Sequence, residues 1–167
     1  YAAPARYQTS VYSMAKGELT WQKAKLLSGA ATPVVVDGVI FGVGDSGPAA
    51  VSLRTGQFVW QQEKGPLRLP NTVDATDDPG RDGWKTYEVA RVGKYLLVWL
   101  PRDVVVHVYD AVSGAYAGEV CHNRAWGRGG QYFLKQADGL YFLQRGGAQI
   151  EKLTEGLLDT PSALTAR

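Results

Sequence analysis

The sequence contains very little cysteine and little net charge. Its 167 residues include one cysteine and one methionine, and its net charge is +2 with 20% charged residues. A single cysteine excludes an intramolecular disulfide and any cysteine-rich zinc site. The small net charge gives no reason to expect binding to nucleic acid or to an anionic membrane surface. With 45% hydrophobic residues, the composition is that of a globular chain of about one domain.

Long apolar runs are also absent. None approaches the roughly 18–20 residues of a membrane-spanning helix, so no membrane span is predicted. The first residues do not show a charged stretch followed by an apolar core and a cleavage site, so no signal peptide is predicted. The chain begins with Tyr1 rather than Met, which favours processing or truncation upstream. Helical patterns are scarce, and the best candidate is the short, uncapped stretch 21–27, so the chain is predicted to be nearly all β.

What the sequence does contain is a short string that occurs twice. Residues 11–21 and 50–60 both place a serine, a glycine and a tryptophan at steps of four: Ser13, Gly17 and Trp21, then Ser52, Gly56 and Trp60. Residues 108–118 keep the pattern with Asp110 and Gly114 but have Gly118 where the tryptophan is expected, and residues 150–156 keep less of it. A period of about 40–50 residues indicates a solenoid or a propeller.

A second marker precedes each of the later strings. Two apolar runs are broken at Asp37-Gly38, at Gly93 and at Asp138-Gly139. Asp-Gly between β-branched and aromatic residues predicts a hairpin, because the turn needs positive φ and glycine adopts it without steric cost. The glycine of the string marks a second turn, so each unit predicts a four-stranded antiparallel meander.

The string that ends in Trp60, with its Asp-Gly hairpin upstream, resembles the blade repeat of quinoprotein-type β-propellers, the PQQ-like repeat family. Blades of that family end in a tryptophan-docking motif, Ala-x-Asp-x-x-Thr-Gly-x-x-x-Trp, which residues 50–60 match with Ser52 in place of Asp. The resemblance covers most of the chain outside 61–86. It implies an all-β fold of four-stranded antiparallel propeller blades. Its implied blade-docking residues are Gly17, Trp21, Gly56, Trp60 and Gly114, and Gly118 implies a joint that is looser or filled by another group.

The markers divide residues 1–167 as a single propeller segment. We expect a partial blade (1–29), a blade (30–65), an inserted loop (66–86), two further blades (87–127 and 128–158), and the start of a next blade or a tail (159–167). Propellers usually have about 4–8 blades, and this count is lower. The propeller is therefore incomplete or part of a larger ring. One alternative is that the chain closes as an unusual four-bladed ring, and the other is that it is a segment of a larger propeller. The opening strands that the first unit lacks favour a segment.

Many quinoproteins of this fold are dehydrogenases, which raises the question of a cofactor. In those enzymes the quinone stacks on a tryptophan and on a disulfide of adjacent cysteines, and calcium is held by Glu, Asn and Asp. This sequence has only Cys121, and no carboxylate can be matched to those ligands. No catalytic residue and no cofactor is therefore predicted. A fragment of a PQQ-dependent oxidoreductase, with catalytic residues outside this chain, stays open as the alternative.

Two loops carry candidate binding residues. Four carboxylates, Asp74, Asp77, Asp78 and Asp82, could supply calcium ligands, but their spacing is not that of an EF-hand and a solvated acidic loop is favoured. Residues 120–132 carry Arg124, Trp126 and Arg128, types that are enriched at binding hot spots. Cys121-His122 lacks the first cysteine of a haem-attachment motif, and the role of His107 on its valine-rich strand stays open.

These observations predict a non-catalytic scaffold. Its expected partners are proteins or the remainder of a larger propeller, and non-enzymatic propellers of the family that it resembles use their blades to bind proteins. By the same resemblance, we expect a subunit of a periplasmic or otherwise extracytoplasmic assembly.

Overall fold

The computed structural model describes residues 8–27, 31–44, 46–62, 87–99, 105–121, 133–136, 139–143 and 150–159. Within these residues the chain forms antiparallel sheets and one short helix, which confirms the predicted all-β fold of propeller blades. None of the described helical residues forms a segment long and apolar enough to cross a membrane. The inserted loop 66–86, the candidate contact residues 124–128 and the tail from residue 160 lie outside the described residues.

In the described part of blade 1 there are two strands. Strand β1 (Gln8–Tyr12) pairs antiparallel with β2 (Leu19–Ala24). The stretch 21–27, the best helical candidate of the sequence, does not form a helix, because Trp21 to Ala24 belong to β2. Trp21 and Lys23 are half-buried, whereas Gln22 and Ala24 are exposed. This alternation has the period of two of a strand rather than the longer period of a helix.

Blade 2 is a four-stranded antiparallel meander. Its strands are β4 (Val34–Val36), β5 (Val39–Val43), β6 (Pro48–Ser52) and β7 (Phe58–Gln61). The turn between β4 and β5 is the expected Asp-Gly turn. Asp37 and Gly38 have φ of 50° and 74°, as a two-residue hairpin turn with two positive φ angles requires.

Blade 3 contains the strands β8 (Tyr87–Val92), β9 (Tyr95–Trp99), β10 (Val105–Asp110) and β11 (Tyr116–Cys121). A fifth strand, β3 (Ala31–Thr32), comes from the segment before blade 2 and pairs parallel with β8. Sequence patterns did not predict this pairing, since two residues before Pro33 carry no periodic signal. It connects the segment that leads into β4 of blade 2 with β8, the first strand of blade 3.

Blade 4 has three described strands and ends in a helix. The strands are β12 (Phe133–Gln136), β13 (Gly139–Leu143) and β14 (Ile150–Lys152), and α1 spans Glu155–Leu158. The prediction of a turn around Gly156 is wrong, because Gly156 lies inside α1. The side chain of Thr154 caps the helix by accepting a hydrogen bond from the Leu157 amide, and Glu155 in the first turn is favourable beside the helix dipole.

Three blades share one irregularity at the same place in the repeat. The pairing register shifts between the first two residues of the string: Val11 and Tyr12 in blade 1, Ala50 and Val51 in blade 2, and Val108 and Tyr109 in blade 3. Directly before each shift, Trp21 pairs with Val11, Trp60 with Ala50, and Gly118 with Val108. Gly118 therefore occupies the tryptophan position of blade 3, as the sequence alignment of the repeats predicts.

The hydrophobic core lies between the blades rather than within one of them. Three clusters of buried residues each span one joint between consecutive blades. Phe41 and Trp60 of blade 2 meet Leu96 and Tyr109 of blade 3 in one cluster. This arrangement follows from the flat shape of a four-stranded sheet, which can bury its faces only against its neighbours.

Candidate functional site

The joint between blades 2 and 3 is closed by the ring of Trp60. Its Nε1 donates a hydrogen bond of 2.9 Å to the carbonyl of Ala111. The ring lies over Gly114, where a Cβ atom would be only 2.5 Å from it. Trp60 is 9% exposed. The absent side chain of Gly114 is what allows an indole to approach this turn.

The joint between blades 1 and 2 repeats the same contact. Trp21 Nε1 donates a hydrogen bond of 2.7 Å to the carbonyl of Leu53. A Cβ atom at Gly56 would lie 2.8 Å from the Trp21 ring. Four of the five implied blade-docking residues thus come together in two pairs, with the tryptophan of one blade on the glycine turn of the next, whereas no described residue lies within 4 Å of a Cβ placed on Gly17. We call residues 14–17, 53–56 and 111–114 the docking turns of blades 1, 2 and 3.

Local hydrogen bonds hold each docking turn in shape. The amides of Gly17, Gly56 and Gly114 donate to the carbonyl four residues earlier at 2.7–2.8 Å. In blade 3, Asp110 Oδ1 also accepts from the amide and hydroxyl of Ser113 at 2.7 and 2.8 Å. The hydrogen bond from the Ser113 amide is the main cause that lowers the pKa of Asp110. The family motif has Asp at this position, and its carboxylate accepts bonds that a serine hydroxyl accepts less well.

Polar side chains reinforce the joint between blades 2 and 3. Gln62 Nε2 donates to the carbonyl of Gly114, next to the docked indole. At the inner end of the blades, Arg91 Nη1 lies 3.1 Å from Asp37 Oδ2, and the Arg91 guanidinium lies 5.6 Å from the centre of the Phe41 ring. Polar contacts therefore flank the hydrophobic cluster of this joint on both sides, at Trp60 and at Arg91. Only the contact at Trp60 was predicted from the sequence.

The joint between blades 3 and 4 has Gly118 in place of a docking tryptophan and is packed by other groups. Leu140, Leu153 and Leu158 of blade 4 are buried in the cluster that covers this face of blade 3. Helix α1 lies on the hairpin between β8 and β9, where Glu155 fills the space over Gly93. Among the described residues, leucines of blade 4 and the helix α1 therefore cover this side of blade 3.

An ion-pair network fixes α1 to that hairpin. Lys94 Nζ lies 2.8 Å from Asp159 Oδ1, and the Tyr95 hydroxyl donates to the same oxygen at 2.7 Å. The Lys94 amide donates to Glu155 at 3.2 Å. The hydrogen bond from Lys94 is the main cause that lowers the pKa of Asp159, and the same bond raises the pKa of Lys94. Sequence reasoning missed this network, because its members are 61 or more residues apart.

Polar side chains are buried in the outer half of blade 3. His107 and Glu119 are cross-strand partners that are 9% and 5% exposed. The Tyr109 ring packs edge-on against Tyr116, with 5.3 Å between centroids. Burial raises the pKa of the Tyr109 phenol, and its hydroxyl has no hydrogen-bond partner among the described residues. These groups line the blade-2 side of blade 3 together with the residues that surround Trp60.

The described residues do not fit the cofactor that the fold family implies. Both tryptophans of the repeat have their Nε1 atoms bonded to neighbouring blades and a ring face over a glycine, so both are engaged in joints between blades. No group of three or more His, Cys, Asp or Glu side chains comes together within the described residues. The candidate calcium ligands at 74–82 and the contact residues at 124–128 fall outside them. We therefore derive no chemical step through a quinone.

Comparisons with known proteins agree with the fold. No family model and no curated protein matches the sequence. Among solved structures, the chain is similar to BamB from Moraxella catarrhalis with a TM-score of 0.52 and 17% identity, over 84% of this chain and 35% of that one. A europium-containing methanol dehydrogenase matches with a TM-score of 0.45 and 14% identity, over 68% of this chain and 21% of that one. The first likeness shows a PQQ-like propeller fold, and this chain spans about a third of that protein's length.

Proposed function

We propose that this chain is a non-catalytic β-propeller scaffold that binds protein partners as a segment or subunit of a larger extracytoplasmic assembly. The proposal depends on one observation: the polar and aromatic side chains of the described residues mainly make contacts between blades. Tryptophans, tyrosines and carboxylates join one blade to the next, whereas several large apolar side chains are exposed, most of them in blades 1 and 2.

Exposed apolar side chains support a protein partner. Among the residues that the structure describes, seven large hydrophobic ones are at least 40% exposed: Tyr12, Met14, Leu19, Val35, Phe58, Val59 and Val112. Tyr12 and Leu19 are cross-strand partners, so their side chains are neighbours on blade 1. Exposed apolar patches on soluble proteins mark interaction sites. A partner protein, or the remainder of a larger propeller, is what would cover them.

A second contact region is proposed on sequence grounds. Arg124, Trp126 and Arg128 follow β11, the outermost strand of blade 3. Arginine and tryptophan are enriched among residues that dominate binding energy, and loops on rigid sheets commonly carry function. The periplasmic or otherwise extracytoplasmic location is likewise proposed from the family resemblance.

A quinone titration tests the non-catalytic part of the proposal. Purified chain would be mixed with PQQ in the presence and absence of calcium, and bound quinone would be measured by visible absorbance after gel filtration. We expect no stoichiometric retention. One quinone retained per chain would overturn the scaffold and favour the alternative of an oxidoreductase fragment. Sedimentation of the chain alone would show whether its exposed edges drive association.

A further inference from the structure

Strand β7 forms the outer edge of blade 2. It spans Phe58–Gln61 and stands last in the sheet order β4-β5-β6-β7, and among the described residues it pairs only with β6. Consecutive blades pack through their faces, as in the cluster around Trp60, so a further blade of a larger ring would not cover this outer edge. An edge strand presents unpaired backbone donors and acceptors to another strand.

Backbone groups of β7 point to the open side. The Gln62 amide donates to the Pro48 carbonyl of β6 at 3.0 Å. Because successive residues of an antiparallel strand direct their backbone groups to alternate sides, the N–H and C=O of Gln61 point away from β6. Val59 is the extra residue at the register shift and has no partner in β6. The edge therefore offers a donor and an acceptor at Gln61, close to the unpaired Val59.

The side chains along this edge are apolar or uncharged. Phe58 and Val59 are 40% and 53% exposed. Residues 55–62 contain no charged side chain and no proline. A short segment with high β-propensity, no charge and no proline is typical of strands that pair with other chains. The edge of β7 therefore combines free backbone groups with a surface that does not repel an apolar strand.

The outer strands of blades 1 and 3 carry charges that β7 lacks. Native edge strands are commonly blunted by charged side chains. At the position that matches Gln61, β11 has Glu119, a buried carboxylate. Strand β2 contains Lys23 and is flanked by Glu18 and Lys25. Among these three outer strands, β7 alone has no charge within it or directly beside it, so it is the one that is open to strand addition.

We propose that the open edge of β7 binds an extended, apolar segment of a partner protein, which adds to blade 2 as a fifth strand. Backbone hydrogen bonds at Gln61 pair the segment with β7, and Phe58 and Val59 contact its apolar side chains. This inference rests on the proposed binding of protein partners and names the kind of segment that is bound.

A second copy of the chain is a poor occupant of this edge. Two four-residue strands bury far less than the roughly 800 Å² per partner of a standard stable interface. A flexible segment of a larger partner needs no such area, because it adds this contact to others that the same partner makes. The edge of β7 therefore suits a flexible segment better than a rigid second propeller.

A peptide titration of the whole chain tests this contact. The probe is a capped six-residue peptide of alternating threonine and valine, added to the ¹⁵N-labelled 167-residue chain. We expect saturable NMR shifts at the amides of residues 57–62, with a downfield shift of the Gln61 amide proton as it gains a hydrogen bond. The same peptide methylated at every backbone nitrogen should bind about tenfold more weakly, since it has lost its backbone donors. This comparison leaves the protein unchanged, so it does not depend on the folding of a variant.

Matched protein variants locate the contact. Gln61→Pro removes the N–H that points to the open side and no hydrogen bond to β6, so it should weaken peptide binding about tenfold. Gln22→Pro makes the same change at the matching position of β2 and should leave binding unchanged.

Four outcomes would overturn the inference. They are absence of saturable shifts at 57–62, equal binding of the two peptides, equal weakening by the two variants, and self-association of the chain through the same amides. Retention of PQQ would overturn the scaffold function and leaves the peptide result unaffected, so the two failures are distinguishable.

Discussion

The indole ring of Trp60 lies over Gly114 of the next blade, and its N–H bonds to the carbonyl of Ala111 in the same turn. The contact needs a large flat group on one blade and no side chain on the other. Trp21 and Gly56 repeat it one blade earlier. The glycine and the tryptophan of one string are only four residues apart, but they contact different blades. Gly56 contacts the preceding blade through Trp21, and Trp60 contacts the following blade.

Loss of the Trp60 ring should destabilise the chain strongly. We expect Trp60→Ala to lower the free energy of unfolding by about 3–5 kcal/mol, as for other buried aromatic truncations. Trp60→Phe keeps a ring but loses the indole hydrogen bond, and it should cost less than Trp60→Ala. Urea unfolding followed by circular dichroism measures both. Val59→Ala, at a position 53% exposed on the same strand, is the control and should change the value by no more than about 0.5 kcal/mol. An equal effect at both positions would contradict the docking geometry.

Alanine at the docking glycines should separate backbone strain from ring contact. Gly17→Ala and Gly114→Ala both force a side chain into the left-handed region, at a cost of about 1–2 kcal/mol. Only Gly114→Ala also drives a Cβ into the Trp60 ring, which should add about 1–3 kcal/mol for overpacking. Thermal or urea unfolding of the two variants gives the difference directly. Similar losses for both would mean that the ring can move aside.

The joint between blades 3 and 4 should depend on pH through Asp159 and Lys94. Asp159→Asn should lower the unfolding midpoint at neutral pH, because it removes the charge that Lys94 contacts at 2.8 Å. The pKa of Asp159 is lowered, so this stabilisation is present above 3.8 and is lost as the pH falls through the folded-state value. The pKa of Lys94 is raised, so the stabilisation is also lost as the pH rises beyond 10.5.

Thermal midpoints of wild type and Asp159→Asn between pH 2 and pH 11 would test this dependence. Glu18→Gln, which removes an exposed carboxylate from blade 1, is the control for net charge. Because the pair is exposed to solvent, the difference at neutral pH should also shrink in 1 M salt. A gap between wild type and variant that persists unchanged at pH 2 would rule out the ion pair as its cause.

Two buried tyrosines should respond in opposite ways to loss of the hydroxyl. Tyr109→Phe removes a fully buried hydroxyl that has no partner among the described residues, so the free energy of unfolding should stay the same or rise. Tyr95→Phe removes the donor to Asp159 at 2.7 Å and should lower it. Equilibrium unfolding of both variants makes the comparison. A clear loss of stability in Tyr109→Phe would reveal a partner for that hydroxyl.

Sequence patterns predicted the parts of this structure that depend on neighbouring residues. The Asp37-Gly38 turn was identified because a two-residue hairpin needs two positive φ angles, and few residue types adopt them. The stretch 21–27 was the best helical candidate but contributes to β2, because a short apolar stretch carries too little periodicity to distinguish helix from strand. Pairing with β1 decided between them.

The sequence by itself determined the repeat, the blade-like meander and the residue types that join one blade to the next, since all of these arise from spacings within about ten residues. Only the tertiary structure decided which groups pack at the joint between blades 3 and 4, where α1 packs on the β8–β9 hairpin, and that no described residue lies over the turn at Gly17. These features depend on contacts between groups that are dozens of residues apart, such as Lys94 and Asp159. No local pattern encodes such a distance, because it is set when the sheets pack face to face.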